Sequence, residues 1–116
     1  MKAIHIRAHG GLEALRYDDV PTPKPGPGEA LVRIRAAGAN HFDHDIREGV
    51  SGIKHQMPHV LGIEGVGEVA ELGPGVTGFK PGERVIIYAV KFCGRCHVCL
   101  SGLEGTCMNR SLMGVQ

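Results

Sequence analysis

Residues 93–107 read Cys-Gly-Arg-Cys-His-Val-Cys-Leu-Ser-Gly-Leu-Glu-Gly-Thr-Cys and contain all four cysteines of this 116-residue chain. The spacing of the thiols is C-x2-C-x2-C-x7-C. Four thiolates that close on one ion form the tetrahedral site, with no open position, that is typical of structural Zn²⁺. We therefore predict a structural zinc in a lobe that spans residues 91–110. Its ligands are Cys93, Cys96, Cys99 and Cys107.

Two other uses of these cysteines remain as alternatives. An even number of cysteines also permits disulfides, although no signal of secretion accompanies them. A C-x2-C-x2-C run also occurs in iron–sulfur ferredoxins, but there a fourth cysteine follows after three residues and precedes a proline. Here the gap before Cys107 is seven residues and no proline follows it. His97 lies inside the run, and we expect it to be a loop histidine rather than a fifth ligand.

The composition favours a mainly β protein. The chain has 18 Gly and seven Pro, spread among Val and Ile without a fixed period, which suits short strands joined by tight turns. The net charge of +1 gives no basic surface for nucleic acid. No apolar run approaches the roughly 20 residues of a membrane span, and no signal peptide follows Met1. We expect a cytoplasmic protein that binds neither membranes nor nucleic acid.

Strand signals occur in five segments, which are 1–7, 15–20, 30–36, 66–72 and 83–88. In the third segment Ala30, Val32, Ile34 and Ala36 alternate with other residues, and this period of two predicts a strand with one buried face. A proline-rich connection at 21–28 precedes it. The run Gly73–Gly78 matches G-x-G-x-x-G, but Pro81-Gly82 follows instead of a helix. We interpret it as a turn and not as a dinucleotide-binding motif.

One helix is predicted at residues 41–48. Asn40 is a favoured N-cap residue, and Gly49 suits the position after the last turn. Asp43 and Arg47 are four residues apart, so we expect them to pair on the helix surface. For two histidine pairs, His41 with His44 and His55 with His59, solvated or hydrogen-bonding roles are favoured over a metal site.

Several motifs occur in the same order as in a known superfamily. They are P-x-P-G-P-G-E at 23–29, N-x-x-D-x-x-x-R-x-G at 40–49, P-x-x-x-G-x-E-x-x-G-x-V at 58–69, G-x-G-V-x-x-F-x-x-G-E-x-V at 73–85 and the cysteine spacing. With them the chain resembles the N-terminal catalytic domain of the medium-chain dehydrogenases and reductases, which include the zinc-type alcohol dehydrogenases and the quinone oxidoreductases. The resemblance implies a GroES-like fold, mainly β, forming a partly open β-barrel with a short helix and a structural-zinc loop.

The resemblance also implies a cofactor. Family members continue into a Rossmann domain that binds NAD or NADP, and we expect residues 1–116 to be the catalytic-domain portion without that domain. The substrate would be a small carbonyl compound, alcohol or quinone, and the full-length protein would be a homo-oligomer. The alternative is a zinc-stabilised binding domain with no activity of its own.

The catalytic zinc of the family is not expected here. Where zinc-dependent members have a Cys and a His as ligands, this chain has Asn40 and Ile63. Glu64 alone does not make a site of three protein ligands. As candidate catalytic residues we name Asn40, Asp43 and Glu64, with the Asn40 amide as a donor to a developing oxyanion.

Overall fold

Short strands joined by turns rich in glycine and proline form the framework of the fold, as the composition predicts. The computed structural model describes residues 1–115. Its strands are β1 (Lys2–Ile6), β2 (Arg16–Asp19), β3 (Ala30–Ala37), β4 (His59–Val60), β5 (Gly65–Leu72), β6 (Arg84–Ile86), β7 (Val90–Lys91) and β8 (Ser111–Leu112). Its helices are α1 (His41–Glu48) and α2 (His97–Leu100), with 3₁₀ turns at Leu12–Ala14 and Glu104–Thr106.

The strands form three small antiparallel sheets rather than one continuous sheet. Their orders are β2-β1-β4, β3-β5-β6 and β7-β8. All five predicted strands are present, most of them shorter than the predicted segments. The two-residue strands β4, β7 and β8 escaped prediction because a period of two needs more residues to be visible. The mainly β, open architecture expected from the sequence is confirmed.

The predicted helix α1 has the predicted ends. Asn40 at its N-cap is extended, and Gly49 ends it with a φ of 80° in the left-handed region, where glycine carries no Cβ penalty. Ile46 is fully buried and Phe42 packs half-buried beside it. The helix has only eight residues, so its stability depends on this packing.

The small core lies where α1, β1 and the segment after β8 meet. Its centre is Ile6, Ile46 and Val115, each with 0% of its surface exposed. The half-buried residues around it are Ala14, Leu15, Phe42, Ile53, Met57, Leu61, Ile63 and Leu112. Contacts between the two ends of the described chain therefore position α1.

The alternating face of β3 is not buried as predicted. Ile34 is 47% exposed, Ala36 is exposed and Val32 is half-buried. Val32 and Ile34 lie over Gly67 and Gly65 of β5, which have no side chains to cover them. Alternation identifies the apolar face of a strand but not whether another element lies on it, and none within residues 1–115 covers this one.

The turn predicted at Gly73–Gly78 is confirmed. It connects β5 to β6 with no intervening helix, and Gly75 and Gly78 have positive φ. The Gly73 N–H donates to the Glu29 carbonyl at 2.8 Å, and a Cβ at position 73 would overlap the carbonyl of Gly26. This glycine is therefore needed for the close contact with the proline-rich connection. Among residues 1–115, no helix has the length and apolar character required to cross a membrane.

Candidate functional site

The cysteine-rich lobe is closed by the β7–β8 ribbon. Val90 pairs with Leu112 and Lys91 with Ser111. The chain therefore enters the lobe and leaves it through two neighbouring strands. Between these strands lie α2 and the 3₁₀ turn Glu104–Thr106, four and three residues long. Elements this short are not stable alone, which leaves the contacts among the cysteines as a main source of order in the lobe.

The four sulfur atoms form a compact group. The Sγ–Sγ distances are 3.5 Å for Cys96–Cys99, 3.6 Å for Cys93–Cys107, 3.9 Å for Cys96–Cys107 and 4.0 Å for Cys93–Cys99. All four cysteines are free thiols. A tetrahedral ion with Zn–S bonds of about 2.3 Å requires sulfur atoms roughly 3.8 Å apart. The spacing therefore fits one Zn²⁺ with four sulfur ligands.

Backbone N–H groups point at the sulfur atoms. Cys107 Sγ accepts from the N–H of Cys93 at 3.4 Å and of Asn109 at 3.3 Å. Backbone N–H groups of Arg95 and Cys96 lower the pKa of the Cys93 thiol to about 6. Burial, in contrast, raises the pKa of Cys99 to about 12. Without a cation the cluster does not favour four thiolates at once, whereas a divalent ion would stabilise all four.

His97 is exposed at the start of α2 and does not belong to the group of sulfur atoms. His97 is thus the first residue of a short helix and not the loop histidine that was expected.

A second candidate site forms where β3 and α1 meet the start of β5. The predicted residues Asn40, Asp43 and Glu64 come together here because Ala37 pairs with Gly65. The Asp43 carboxylate accepts from the N–H of Asn40 at 2.8 Å and from the N–H of Gly62 at 3.0 Å. Asp43 thus ties the first turn of α1 to the loop before β5.

The expected pairing of Asp43 with Arg47 is wrong. The Arg47 side chain is buried and donates to the Gly10 carbonyl at 2.6 Å and to Glu48 at 3.0 Å. Both oxygens of Asp43 are already engaged by backbone N–H groups. Asp43 therefore binds backbone N–H groups instead of forming the ion pair with Arg47 that the sequence spacing predicts.

Asn40 has an unused donor. Its Nδ2 atom is buried and has no hydrogen-bond partner among residues 1–115. Buried polar atoms are nearly always paired in folded proteins, so an unpartnered amide nitrogen is a candidate for contact with a ligand. Ile63, which follows Gly62 in the loop that Asp43 binds, is half-buried and has no metal-binding atom.

Glu64 differs from the other two candidates because it is exposed. Its side chain lies directly over Gly38, where a Cβ would overlap the carboxylate. Because Gly38 has no side chain, the Glu64 carboxylate can occupy this space beside the end of β3.

His55 and His59 have hydrogen-bonding roles, as expected from the sequence, but their partners were not predicted. His55 Nδ1 lies 2.7 Å from the Val115 carbonyl, and His59 Nε2 lies 2.9 Å from the Gly114 carbonyl. Each ring can donate an N–H to its carbonyl, which fixes the last described residues against the core. Because these partners are backbone atoms more than 50 positions away, no local pattern identifies them.

The fold and the cysteine lobe together match one family. Residues 26–115 match the alcohol dehydrogenase GroES-like domain, and the chain belongs to that family. It is 38% identical over 120 residues to the NAD-dependent alcohol dehydrogenase of Sulfolobus acidocaldarius, covering 99% of this chain and 34% of that protein. It is also 38% identical over 110 residues to the acryloyl-coenzyme A reductase of Metallosphaera sedula, covering 95% of this chain and 32% of that one.

A solved structure gives the same result. The cobalt- and zinc-bound thermostable alcohol dehydrogenase from Pyrobaculum aerophilum superposes with a TM-score of 0.92 at 38% identity, covering 99% of this chain and 35% of that chain. The chain therefore spans about a third of the length of the relatives that it matches. By their names, these relatives are oxidoreductases: two alcohol dehydrogenases and one acryloyl-coenzyme A reductase.

Proposed function

We propose that residues 1–116 are the catalytic-domain portion of an NAD(P)-dependent oxidoreductase that acts on a small carbonyl compound, alcohol or quinone. It would hold one structural zinc in lobe 91–110 and no catalytic zinc. The observation that carries the proposal is the buried Nδ2 of Asn40, which has no hydrogen-bond partner among residues 1–115. It lies at the N-cap that the Asp43 carboxylate binds. Family membership and the named activities of the relatives support it.

The zinc would be held by Cys93, Cys96, Cys99 and Cys107, whose sulfur spacing fits four Zn–S bonds. A site with four protein ligands has no position for a substrate. The metal would therefore stabilise the lobe and take no part in the reaction.

The candidate active site would work through hydrogen bonding. The nicotinamide, when bound, would supply or accept the hydride. The Asn40 amide would donate to the substrate oxygen, where negative charge develops during reduction. Asp43 would act as a positioning residue, because its bonds to Asn40 and Gly62 hold the start of α1 in place. Glu64 is exposed beside Gly38 and would border the substrate entrance.

Without a metal to polarise a carbonyl, conjugated acceptors become the favoured substrates, since their developing charge is spread over more atoms. The similarity to an acryloyl-coenzyme A reductase supports an activated alkene as one such acceptor. Aldehydes and quinones are the alternatives that the experiment must compare.

The decisive experiment is a chimera in which residues 1–116 replace the corresponding third of the Sulfolobus alcohol dehydrogenase. NADH- and NADPH-dependent reduction would be measured with an aldehyde, a quinone and an activated alkene. We expect Asn40→Ala to lower kcat by about 100-fold, the scale of a lost oxyanion donor. The control His97→Ala, in the exposed part of the lobe, should keep full activity.

Metal analysis of the same chimera tests the absence of a catalytic zinc. We expect one zinc per chain, and two after Asn40→Cys is combined with Ile63→His. A second zinc ion located by anomalous scattering beside Asn40, Ile63 and Glu64 in the unsubstituted chimera would contradict the proposal, as would an Asn40→Ala variant with unchanged kcat. A folded chimera that is inactive with all three acceptors would favour a binding domain without activity.

A further inference from the structure

The outer face of α1 carries a cluster of metal-ligating side chains outside both sites described above. His41, His44 and Asp45 each place one ligand atom within 4.8 Å of the other two. The side chains of His41 and His44 are 86% and 46% exposed, and that of Asp45 is 29% exposed. Solvent therefore reaches the cluster, whereas Ile46 on the inner side of the helix is buried in the core.

The distances in this cluster fit a metal with nitrogen and oxygen ligands. Asp45 Oδ1 lies 3.5 Å from His41 Nε2 and 3.4 Å from His44 Nδ1. Zinc bonds to nitrogen and oxygen of about 2.1 Å place tetrahedral ligand atoms roughly 3.4 Å apart. The two imidazole rings are nearly parallel, with centroids 5.3 Å apart and an interplanar angle of 16°. Because an imidazole nitrogen binds a metal in the plane of its ring, the His41 ring, which is 86% exposed, must turn out of this stack for both nitrogens to reach one ion.

Glu48 supplies a partner for the other nitrogen of one ring. Its Oε1 lies 3.1 Å from His44 Nε2. When Nε2–H donates to this carboxylate, the lone pair of Nδ1 faces Asp45. A carboxylate on the distal nitrogen of a ligating histidine is the usual arrangement in protein metal sites, where it fixes the tautomer and orients the ring.

We propose that His41, His44 and Asp45 form a solvent-exposed site for a divalent transition metal, with Glu48 orienting His44. Two imidazoles and one carboxylate favour Zn²⁺, Cu²⁺ or Ni²⁺ over Mg²⁺ and Ca²⁺. Three protein ligands leave one position for water. The bound ion would link the first and second turns of α1, the helix whose first turn carries Asn40 and Asp43. Metal binding would therefore stiffen the support of the candidate active site without entering it.

The sequence alone did not indicate this site, because two histidines three residues apart are common on solvated helices. The additional support is Asp45, which reaches both rings, and Glu48, which occupies the remaining nitrogen of His44.

The test is a calorimetric titration with Zn²⁺ of the 116-residue chain purified with its lobe already holding one zinc. We expect one further zinc to bind per chain. The double variant His41→Ala/His44→Ala should lose this binding, and Glu48→Gln should weaken it by about tenfold. His97→Ala, which removes an exposed histidine elsewhere, should bind Zn²⁺ as the unsubstituted chain does. Circular dichroism of each variant verifies that α1 is intact.

Two results would overturn the proposal. One is the absence of a further zinc at Zn²⁺ concentrations up to about 1 mM, which would show that the cluster makes only histidine–carboxylate ion pairs. The other is a further zinc that survives His41→Ala/His44→Ala, which would place it at another site.

Discussion

At the scale of single residues, one carboxylate organises the candidate active site. Asp43 accepts from Asn40 within its own helix and from Gly62, which is 19 positions away in the chain. Because both donors are backbone N–H groups, the bonds constrain the path of the chain and not merely a side chain. The position of the Asn40 amide therefore depends on Asp43.

Replacing Asp43 by Asn should destabilise the chain by about 2 kcal/mol, the scale of a lost hydrogen bond to a charged group. Asparagine keeps one acceptor oxygen but turns an NH₂ group toward the other backbone donor. Chemical denaturation would measure the change in the free energy of unfolding. The control is Asp19→Asn, because Asp19 is 74% exposed in a surface ion pair with Lys2. This substitution should lower the free energy of unfolding by less than about 1 kcal/mol. Equal changes in the free energy of unfolding for the two substitutions would contradict a stabilising role of the Asp43 hydrogen bonds.

Cys107 is buried, and of the four proposed zinc ligands it is the most distant in sequence from the other three. Protein purified without added metal should contain one zinc per chain, and Cys107→Ser should lose it because three thiolates hold the ion less tightly than four. His97→Ala serves as the matched control and should retain its zinc. Iron in place of zinc would contradict a structural zinc, and zinc that is lost with His97→Ala but kept with Cys107→Ser would contradict the four-cysteine ligand set.

At the scale of elements, the last described segment is fixed onto the body of the fold by contacts from several directions. The carbonyls of Gly114 and Val115 lie against the side chains of His59 and His55, and Val115 is completely buried. Gly114 itself lies so close to Gly62 that a Cβ would overlap the Gly62 carbonyl oxygen. The Gly62 loop is therefore held by Asp43 on one side and by Gly114 on the other.

Gly114→Ala should be markedly destabilising, and Gly28→Ala provides a matched control. Both glycines have positive φ, 74° and 75°, but a Cβ at Gly28 meets nothing within 4 Å. Gly28→Ala should cost about 1 kcal/mol from backbone strain alone. Gly114→Ala adds a steric overlap, for which about 2 kcal/mol more is expected. Unfolding in denaturant measures both, and similar losses would show that the Gly62 contact contributes little.

For the molecule as a whole, several large apolar side chains on or beside the β3-β5-β6 sheet remain exposed. Ile86 on β6 is 82% exposed, Tyr88 61%, Ile34 47% and Val66 40%. The β3-β5-β6 sheet also has two edge strands, β3 and β6. Exposed apolar patches and unpaired strand edges both promote association.

We predict that the 116-residue chain self-associates as its concentration rises. Ile86→Lys should reduce this association, because it places a charge on the exposed edge strand. Leu12→Lys is the matched control, since Leu12 is 76% exposed but lies on the 3₁₀ turn away from that sheet. Light scattering across a concentration series distinguishes the outcomes. A strictly monomeric sample that melts cooperatively would show that this surface needs no cover.

We also predict that residues 1–116 alone bind neither NADH nor NADPH usefully. The glycine-rich run 73–78 connects two strands, so it offers no helix N-terminus for a pyrophosphate. Fluorescence titration with NADPH would measure this, and a dissociation constant in the low micromolar range would show the prediction to be wrong.

Local patterns in the sequence predicted α1, the longer strands and the convergence of the four cysteines. Asn40 and Gly49 predicted both ends of α1, and the spacing of the four cysteines predicted that they converge. These signals are readable because each depends on residues that are close together along the chain. Family motifs extended the prediction to the fold, which the match over residues 26–115 confirms.

Tertiary structure alone decided which polar groups are paired and which faces are covered. Asp43 binds Gly62 instead of Arg47, His55 and His59 bind carbonyls at 114 and 115, and the alternating face of β3 lies open. Each outcome depends on segments brought together by strand register and core packing. The sequence shows which side chains can form hydrogen bonds. The fold determines which backbone donors and acceptors lie within reach of them.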